Sequence, residues 1–234
     1  MRLRTGTSGF AYKEWKGPFY PEKLPQSAML AHYAGRLPAV EINYTFYRMP
    51  SEKMVRGWVE QTPPDFSFVL KASRRITHHK KLQEASEPLR LLLQASDALG
   101  ERRGPLLFQL PPTFAKDIDV LRAFLEELPG ELRAAFEFRH RSWMDDEVYD
   151  ALRARNAALV VADPGKGEAR EVVATADFGY ARLRREDYDE AALHEWRRRL
   201  RRPEWRDCWV FFKHEEAGTG PRLAERFQGL DPGA

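Results

Sequence analysis

The sequence predicts an α/β fold, a TIM (β/α)8 barrel that forms a single compact domain over residues 1–234. Eight short, apolar, strand-like segments alternate with helical segments, which is the order of parallel βαβ units. The 234 residues also approach the roughly 250 that such a barrel usually needs. An open doubly wound sheet is the alternative, but the first turn after a strand lacks the glycine-rich fingerprint of that fold.

The predicted strands are short, and most of them end in a polar residue. In chain order they cover 3–9, 39–43, 65–71, 105–110, a stretch within 134–143, 158–163, 179–183 and 208–214. The fifth, AAFEFRHRSW, shows the pattern most clearly. Side chains alternate between the two faces of a strand, so Ala135, Glu137 and Arg139 share one face while Phe136 and Phe138 share the other.

Amphipathic segments separate these strands. Helices are predicted over 27–36, from Ser51 as N-cap to 59, in a long segment ending near 99, and over 117–128, 145–155, 189–201 and 221–228. A loop rich in Gly, Lys and Glu follows the sixth strand. No linker or low-complexity tract interrupts the alternation, so we expect one domain.

Composition excludes several classes of protein. The chain is 43% hydrophobic and 31% charged, and its net charge of +3 is weak support for nucleic-acid binding. No run approaches 18 apolar residues, so no membrane span is expected. The N-terminus lacks the apolar segment of a signal peptide, and the lone Cys208 fits a reducing compartment. We therefore expect a cytoplasmic protein.

Polar residues recur at the ends of seven predicted strands: Glu41, Lys71, Gln109, Glu137, Asp163, Arg182 and Lys213. In most strands the residue two positions earlier is small or apolar, as a barrel interior requires: Ala39, Val69, Leu107, Ala135, Val161 and Phe211. Burying polar groups is costly, and the active site of a barrel is built from the C-terminal ends of its strands. The pattern therefore predicts a functional site at the barrel mouth.

The residue types narrow the chemistry of that site. Four cations (Lys71, Arg139, Arg182, Lys213) face three acids (Glu41, Glu137, Asp163), and this excess suits a phosphate or a carboxylate. We expect Lys71, Arg139 and Arg182 to bind the anion. Glu137, Lys71, Glu41 and Asp163 are the predicted catalytic residues, with Glu137 as the principal general base near neutral pH.

Other interpretations remain open. The strand ends could form a self-neutralised salt-bridge network, Glu41 and Glu137 a glycosidase pair, or Lys71 a Schiff base. A divalent metal is not favoured, because only His140 and His214 lie at strand ends. The basic segment 189–201 is most simply a solvated helix face.

Several long motifs in fixed order carry a resemblance to a known family: TGTSGFAYKEWKGPFYP, VEINYTFYRMPS, FVLKASRRITH, LLFQLPP and FEFRHRSW. Together with Asp163 they resemble the YecE-like family, domain of unknown function 72, from Thr5 to about Phe227. The resemblance implies a TIM barrel and adds Asn43, Thr45, His78 and Trp143 to the predicted ligand-binding residues. The chain departs from the family pattern at Phe10, where Trp is usual, and in its last strand, where FKHEEAGTG replaces paired asparagines and a following Ala-Pro.

The sequence thus predicts an enzyme, a hydrolase or a lyase, that acts on an anionic ligand by acid/base chemistry at the barrel mouth. Its ligand-binding residues are Asn43, Thr45, His78, Gln109, Arg139, Trp143, Arg182 and Lys213. The alternative is a non-catalytic barrel that binds a ligand or a nucleic acid, or a nuclease-like phosphodiesterase. No cofactor is predicted, and a small anion is the favoured partner.

Overall fold

The computed structural model describes residues 1–163, 171–185, 187–214 and 216–230. All described strands belong to one parallel sheet: β1 (Arg2–Ser8), β2 (Ala39–Ile42), β3 (Ser67–Lys71), β4 (Arg103–Gln109), β5 (Ala134–Glu137), β6 (Ala158–Leu159), β7 (Val161–Asp163), β8 (Phe178–Leu183) and β9 (Asp207–Phe212). Each predicted strand is present, within two residues of its expected start.

The sheet closes into a barrel through its sixth strand position. β6 pairs with β5, whereas β7 pairs with β8, and only Val160 separates the two segments. The Val160 amide donates to the carbonyl of Phe136 at 2.9 Å, so the backbone stays bonded across the break. Eight parallel strand positions therefore surround one lumen, which confirms the predicted TIM-barrel fold.

Seven α-helices follow the strands in the described part of the chain: α1 (Met29–Ala34), α2 (Glu52–Glu60), α3 (Ser86–Asp97), α4 (Ile118–Glu127), α5 (Asp146–Ala154), α6 (Glu190–Arg199) and α7 (Thr219–Gly229). Ser51 caps α2 as predicted, accepting from the amide of Met54. Residues 164–170, most of the predicted Gly/Lys/Glu-rich loop, lie outside the described residues, and no described helix lies between β7 and β8. None of the described helices is long and apolar enough to cross a membrane.

Two buried clusters divide the interior, one inside the barrel and one between the sheet and the helices. The lumen cluster comprises Ala39, Val69, Leu107, Ala135, Ala158, Val160, Phe178, Tyr180, Trp209 and Phe211. Five of the six residues predicted to face the lumen belong to it. Val161 instead packs in the outer cluster, because the side chains of Ala158 and Val160 take the inward positions of that strand.

β1 and β2 approach each other closely at Gly6. A Cβ atom at this position would lie only 1.9 Å from the carbonyl oxygen of Ala39. The hydroxyl of Tyr33 reinforces the contact: it donates to that carbonyl at 2.9 Å and accepts from the Thr7 amide at 2.8 Å. Glycine is therefore required here by space, since any side chain would push the two strands apart.

Candidate functional site

A cavity of about 250 Å³ opens where the strands end. Of the residues that the structure describes, five cationic side chains line it: Lys71, Arg139, Arg182, Arg184 and Lys213. Four aromatic side chains (Tyr12, Tyr44, Phe46, Tyr47) and two amides (Asn43, Gln109) complete the wall. We call this space the cation cavity. It lies at the C-terminal ends of the strands, where barrel enzymes place their active sites.

Arg182 joins the two buried glutamates of the cluster. Its Nη2 lies 2.7 Å from Oε1 of Glu41, and its Nη1 lies 2.5 Å from Oε2 of Glu137. All three side chains are almost fully buried. Arg182 is therefore a bridge between β2 and β5 across the barrel, and both of its terminal nitrogens are already engaged. This differs from its predicted role as an anion ligand.

Glu41 also accepts hydrogen bonds from two hydroxyl groups. Ser8 donates to Oε1 at 2.7 Å and Tyr180 donates to Oε2 at 2.6 Å. Ser8 is in register with Glu41 on the neighbouring strand, while Tyr180 reaches it from the lumen face of β8. Burial opposes the charge of this carboxylate, but Arg182 and the two hydroxyls hold the pKa of Glu41 below its ordinary value.

Glu137 is surrounded by donors. Gln109, its register partner on β4, donates to Oε1 at 3.0 Å. Arg184 approaches both oxygens at 3.0 and 3.2 Å, and Arg139 lies 3.4 Å from Oε1. Burial again opposes the charge, yet Arg182, Arg184 and Arg139 together hold the pKa of Glu137 far below its ordinary value.

This electrostatic setting corrects the role expected for Glu137. A general base near neutral pH must accept a proton readily, whereas a carboxylate among three guanidinium groups stays ionised well into the acid range. The geometry makes Glu137 the anchor that orients three arginines at the mouth. Glu137 is therefore poorly suited to act as a base at neutral pH.

Lys71 has a different electrostatic setting from the two carboxylates. The ion pairs of Glu41 and Glu137 go to arginines, and the Lys71 ammonium instead lies 4.2 Å from the ring centroid of Phe46. Burial and the charge of Arg182 lower the pKa of Lys71 to about 8. The amine therefore changes protonation near physiological pH while facing the cation cavity.

Arg184 was not predicted from the sequence, although a signal was present. The alternation Tyr180, Arg182, Arg184 continues past the end of β8 at Leu183, and all three side chains point toward the barrel axis or its mouth. Tyr12, Tyr44, Phe46 and Tyr47 were missed as well. They lie in the loops after β1 and β2, where no periodicity assigns a direction to a side chain.

Besides Glu41 and Glu137, which lie beneath the cation cavity, four predicted site residues do not line it. Asp163 accepts from the Tyr188 hydroxyl at 2.8 Å and faces the helix layer, because the inward positions of its strand fall on the alternate residues. Trp143 is fully buried against Phe138, and its indole donates to the carbonyl of Phe114.

The other two support the cavity from behind. The Thr45 hydroxyl lies 2.6 Å from the carbonyl oxygen of Lys71 and 3.0 Å from that of Ile42, so it ties β2 to the end of β3. His78 belongs to a π-helical turn over Arg75–His79 and packs edge-on against Phe46. Burial, with Lys71 and Arg139 nearby, lowers the pKa of His78.

Residues 4–231 match the family model described as "Protein of unknown function DUF72". The match extends over nearly the whole chain. The chain belongs to the DUF72 family.

Relatives of this DUF72 chain show the same affiliation. The UPF0759 protein YecE of Escherichia coli K12 is 36% identical over 112 residues, which make up 47% of this chain and 41% of YecE. The chain thus matches about two fifths of the length of YecE. The UPF0759 protein YunF of Bacillus subtilis is 25% identical, and the alignment covers 91% of this chain and 93% of YunF.

Solved DUF72 structures share the fold. A DUF72 family protein from Thermotoga maritima superposes with a TM-score of 0.85 at 29% identity, covering 97% of this chain and 98% of the other. A second, from Enterococcus faecalis, gives a TM-score of 0.81 at 20% identity over 97% and 94% of the two chains, and shows likeness of fold.

The last strand of this DUF72 chain presents two residues in different directions. Lys213 follows Trp209 and Phe211 on the lumen face and lines the cation cavity. His214 turns away, and its Nε2 lies 2.5 Å from the carbonyl oxygen of Arg185. Among the described residues, no three His, Cys, Asp or Glu side chains lie close enough together to hold a metal ion.

Proposed function

We propose that this protein is an enzyme that binds a phosphate- or carboxylate-bearing substrate in the cation cavity and uses Lys71 for proton transfer. The observation that carries the proposal is the position of Lys71. Its amine has a pKa of about 8 and faces a cavity whose other charged groups, within the described part of the chain, are four cations. A perturbed titrating group within a cleft is typical of active sites.

The charge of the cavity favours an anion. Arg182 holds the carboxylates of Glu41 and Glu137 beneath the cavity. Four further cationic side chains line the cavity itself: Lys71, Arg139, Arg184 and Lys213. Arg139 is 38% exposed and touches Glu137 only at 3.4 Å, so it can turn toward a ligand at little cost. Guanidinium groups bind phosphate and carboxylate oxygens in pairs. The cavity therefore carries more positive charge than its own acids neutralise.

The same charges serve catalysis at Lys71. In its neutral form the amine can take a proton from an attacking water molecule or from a carbon next to a carboxylate. The arginines then stabilise the negative charge that develops on the substrate. The ammonium so formed can return the proton to a leaving group. Elimination and hydrolysis both use such a step, which agrees with a lyase or a hydrolase.

A non-catalytic anion-binding barrel is the second candidate. It is favoured by the complete engagement of Glu41 and Glu137 with their donors, which leaves neither carboxylate ready to react. A nucleic acid remains a predicted partner of this second candidate, as a polymeric anion. The two candidates differ in what Lys71 does once the anion is bound.

Competitive acetylation of lysines tests the proposal directly. The rate of acetylation of Lys71, followed by mass spectrometry across pH, should reach half its maximum near pH 8. Sulfate should slow this reaction, because an anion in the cavity favours the ammonium form and blocks access. Lys53, an exposed lysine of α2, is the matched control and should be insensitive to sulfate. A Lys71 rate unchanged by sulfate and phosphate would contradict the proposal.

Substitution separates the enzyme from the binding barrel. Lys71→Arg keeps a positive charge but removes a group that titrates near neutral pH. On any phosphate ester or carboxylate that the protein turns over, this variant should lower kcat by roughly 10²–10⁴-fold with a modest change in KM. Equal turnover in the variant and the parent protein would show that Lys71 is not the proton-transfer group.

A further inference from the structure

A second space adjoins the cation cavity and differs from it in character. It measures about 420 Å³ and is lined by Phe10, Ile42, Met54 and Trp58, together with the loop after β1. We call it the apolar groove. Tyr12, Asn43 and Tyr44 line both spaces, so the two form one continuous depression with a charged end and an apolar end.

Exposed apolar side chains concentrate at this depression. Among the described residues, the large hydrophobic side chains that are well exposed are Met1, Tyr44, Tyr47 and Met54. Met54 lines the apolar groove, Tyr47 lines the cation cavity, and Tyr44 lines both. Exposed apolar surface that gathers in one place marks a binding site more often than scattered residues do.

The walls of the groove are held in place by the fold. The Tyr12 hydroxyl donates to the carbonyl of Ser8 at 2.7 Å, and its ring packs 4.8 Å from that of Trp15. Gly9 has a φ of +96° and leaves room for Tyr12, whose hydroxyl would otherwise lie 2.5 Å from a Cβ atom. Trp58 stacks on Phe68 of β3. The groove is therefore preformed, as small-molecule sites usually are.

Asn43 marks the junction between the two spaces. Its side-chain Oδ1 is buried and has no hydrogen-bond partner among the described residues. A buried acceptor without a partner is costly. An N–H or O–H group on a ligand that spans the junction would satisfy it.

We infer that the ligand has two parts, an anionic group held in the cation cavity and an aromatic ring that lies in the apolar groove. The inference rests on the proposed function and deepens it by naming the substrate class as aryl phosphates or aryl carboxylates. The size agrees, since a cavity of about 150 Å³ already holds a benzene ring. The aromatic walls (Phe10, Tyr12, Tyr44, Trp58) offer the ring faces and edges that aromatic ligands pack against.

The inference is tested by measuring the affinities of methyl phosphate and phenyl phosphate for the full chain by titration calorimetry. Phenyl phosphate should bind at least about tenfold more tightly, because only its ring buries apolar surface in the groove. Met54→Gln makes the groove polar and Met54→Trp fills it. Both variants should therefore lower the ratio of the affinity for phenyl phosphate to the affinity for methyl phosphate. Glu60→Gln, on the exposed side of the same helix, should leave the ratio unchanged.

The outcomes distinguish this inference from the proposed function. Equal affinities for the two esters in the parent protein would overturn the aryl subsite while the anion site stands. A preference for phenyl phosphate that survives both Met54 variants would place the ring elsewhere and also overturn it. Failure of inorganic phosphate, methyl phosphate and phenyl phosphate to bind at all would overturn both the proposed function and the subsite.

Discussion

At the scale of single residues, the barrel mouth depends on Glu137 being ionised. Three guanidinium groups contact its carboxylate. One of them, Arg182, uses Nη1 for Glu137 and its other terminal nitrogen, Nη2, for Glu41. Replacement by glutamine preserves the shape but leaves Glu41, alone among the described residues, to balance the charge of three guanidinium groups. Glu137→Gln should lower the free energy of unfolding by roughly 3 kcal/mol or more, measured by urea denaturation at about pH 7.

A surface pair provides the control for that measurement. Glu52 and Arg56 form an exposed ion pair on α2, and exposed pairs contribute little to stability. Glu52→Gln should therefore leave the urea midpoint nearly unchanged. If Glu137→Gln were as mild as Glu52→Gln, the carboxylate would not be the anchor described above.

The same carboxylates set the response to acid. The pKa values of Glu41 and Glu137 are both lowered in the folded protein from an ordinary value of 4.5. The unfolded chain then binds protons that the folded chain does not, so stability should be full above about pH 4.5 and decline as the pH falls below it. Glu137→Gln removes one of these groups. Its urea midpoint should therefore fall less steeply between pH 5 and pH 3 than that of the parent, and parallel curves would contradict the assignment.

Strand alternation predicted much of the site at this scale. It brought Glu41, Lys71, Gln109, Glu137 and Arg182 to one barrel mouth, because the period of two is enforced wherever a strand is buried on both faces. It placed Asp163 on the wrong face, since ALVVAD is apolar at every position before the acid and nothing local distinguishes its two faces. The low pKa of Glu137 could not be predicted, because it depends on Arg182, Arg184 and Arg139 converging on one carboxylate, and that convergence follows from the closed barrel.

At the scale of elements, the packing of β1 against β2 positions the loops that line the cation cavity and the apolar groove. Gly6 lies against the Ala39 carbonyl with no room for a methyl group. Gly6→Ala should separate the two strands and lower the free energy of unfolding by about 1–3 kcal/mol, as overpacked cores do. The melting temperature should fall accordingly, as measured by circular dichroism.

Gly130 is the matched control, since a Cβ atom there meets nothing within 4 Å. Gly130→Ala should be neutral or slightly stabilising, because alanine restricts the unfolded chain. A Gly6→Ala variant as stable as Gly130→Ala would show that β1 and β2 can relax apart. The close packing at the base of the Glu41 strand would then not be required.

Element order was predictable from the sequence, but the detail of the sixth strand was not. The eight apolar segments and the helices between them follow from hydrophobic periods of two and 3.6 residues. Ser51, as an N-cap residue, predicted the start of α2. The division of 158–163 at Val160 depends on pairing with two different neighbours, β5 and β8. Barrel closure depends on the whole sheet, so no local sequence pattern predicts where the sixth strand is divided.

At the scale of the whole molecule, charge is nearly balanced while the barrel mouth is not. The chain carries 38 basic and 35 acidic residues, yet among the described residues the charged side chains that line the cation cavity are all cationic. Positive charge that gathers in a cleft of low dielectric constant acts strongly on an anion there. The local charge of the cavity, rather than the net charge of the chain, therefore predicts an anionic ligand.

If an anion binds in the cation cavity as proposed, the protonation of Lys71 should control its affinity. Sulfate is the best probe, because its own charge is constant across the range of interest. Calorimetric titration at constant ionic strength should give a constant affinity below about pH 8 and roughly a tenfold loss by about pH 9.5, as the amine loses its charge. Lys71→Arg should bind sulfate with no such dependence. Absence of saturable binding in the parent protein, or the same pH dependence in Lys71→Arg, would contradict an anion site controlled by Lys71.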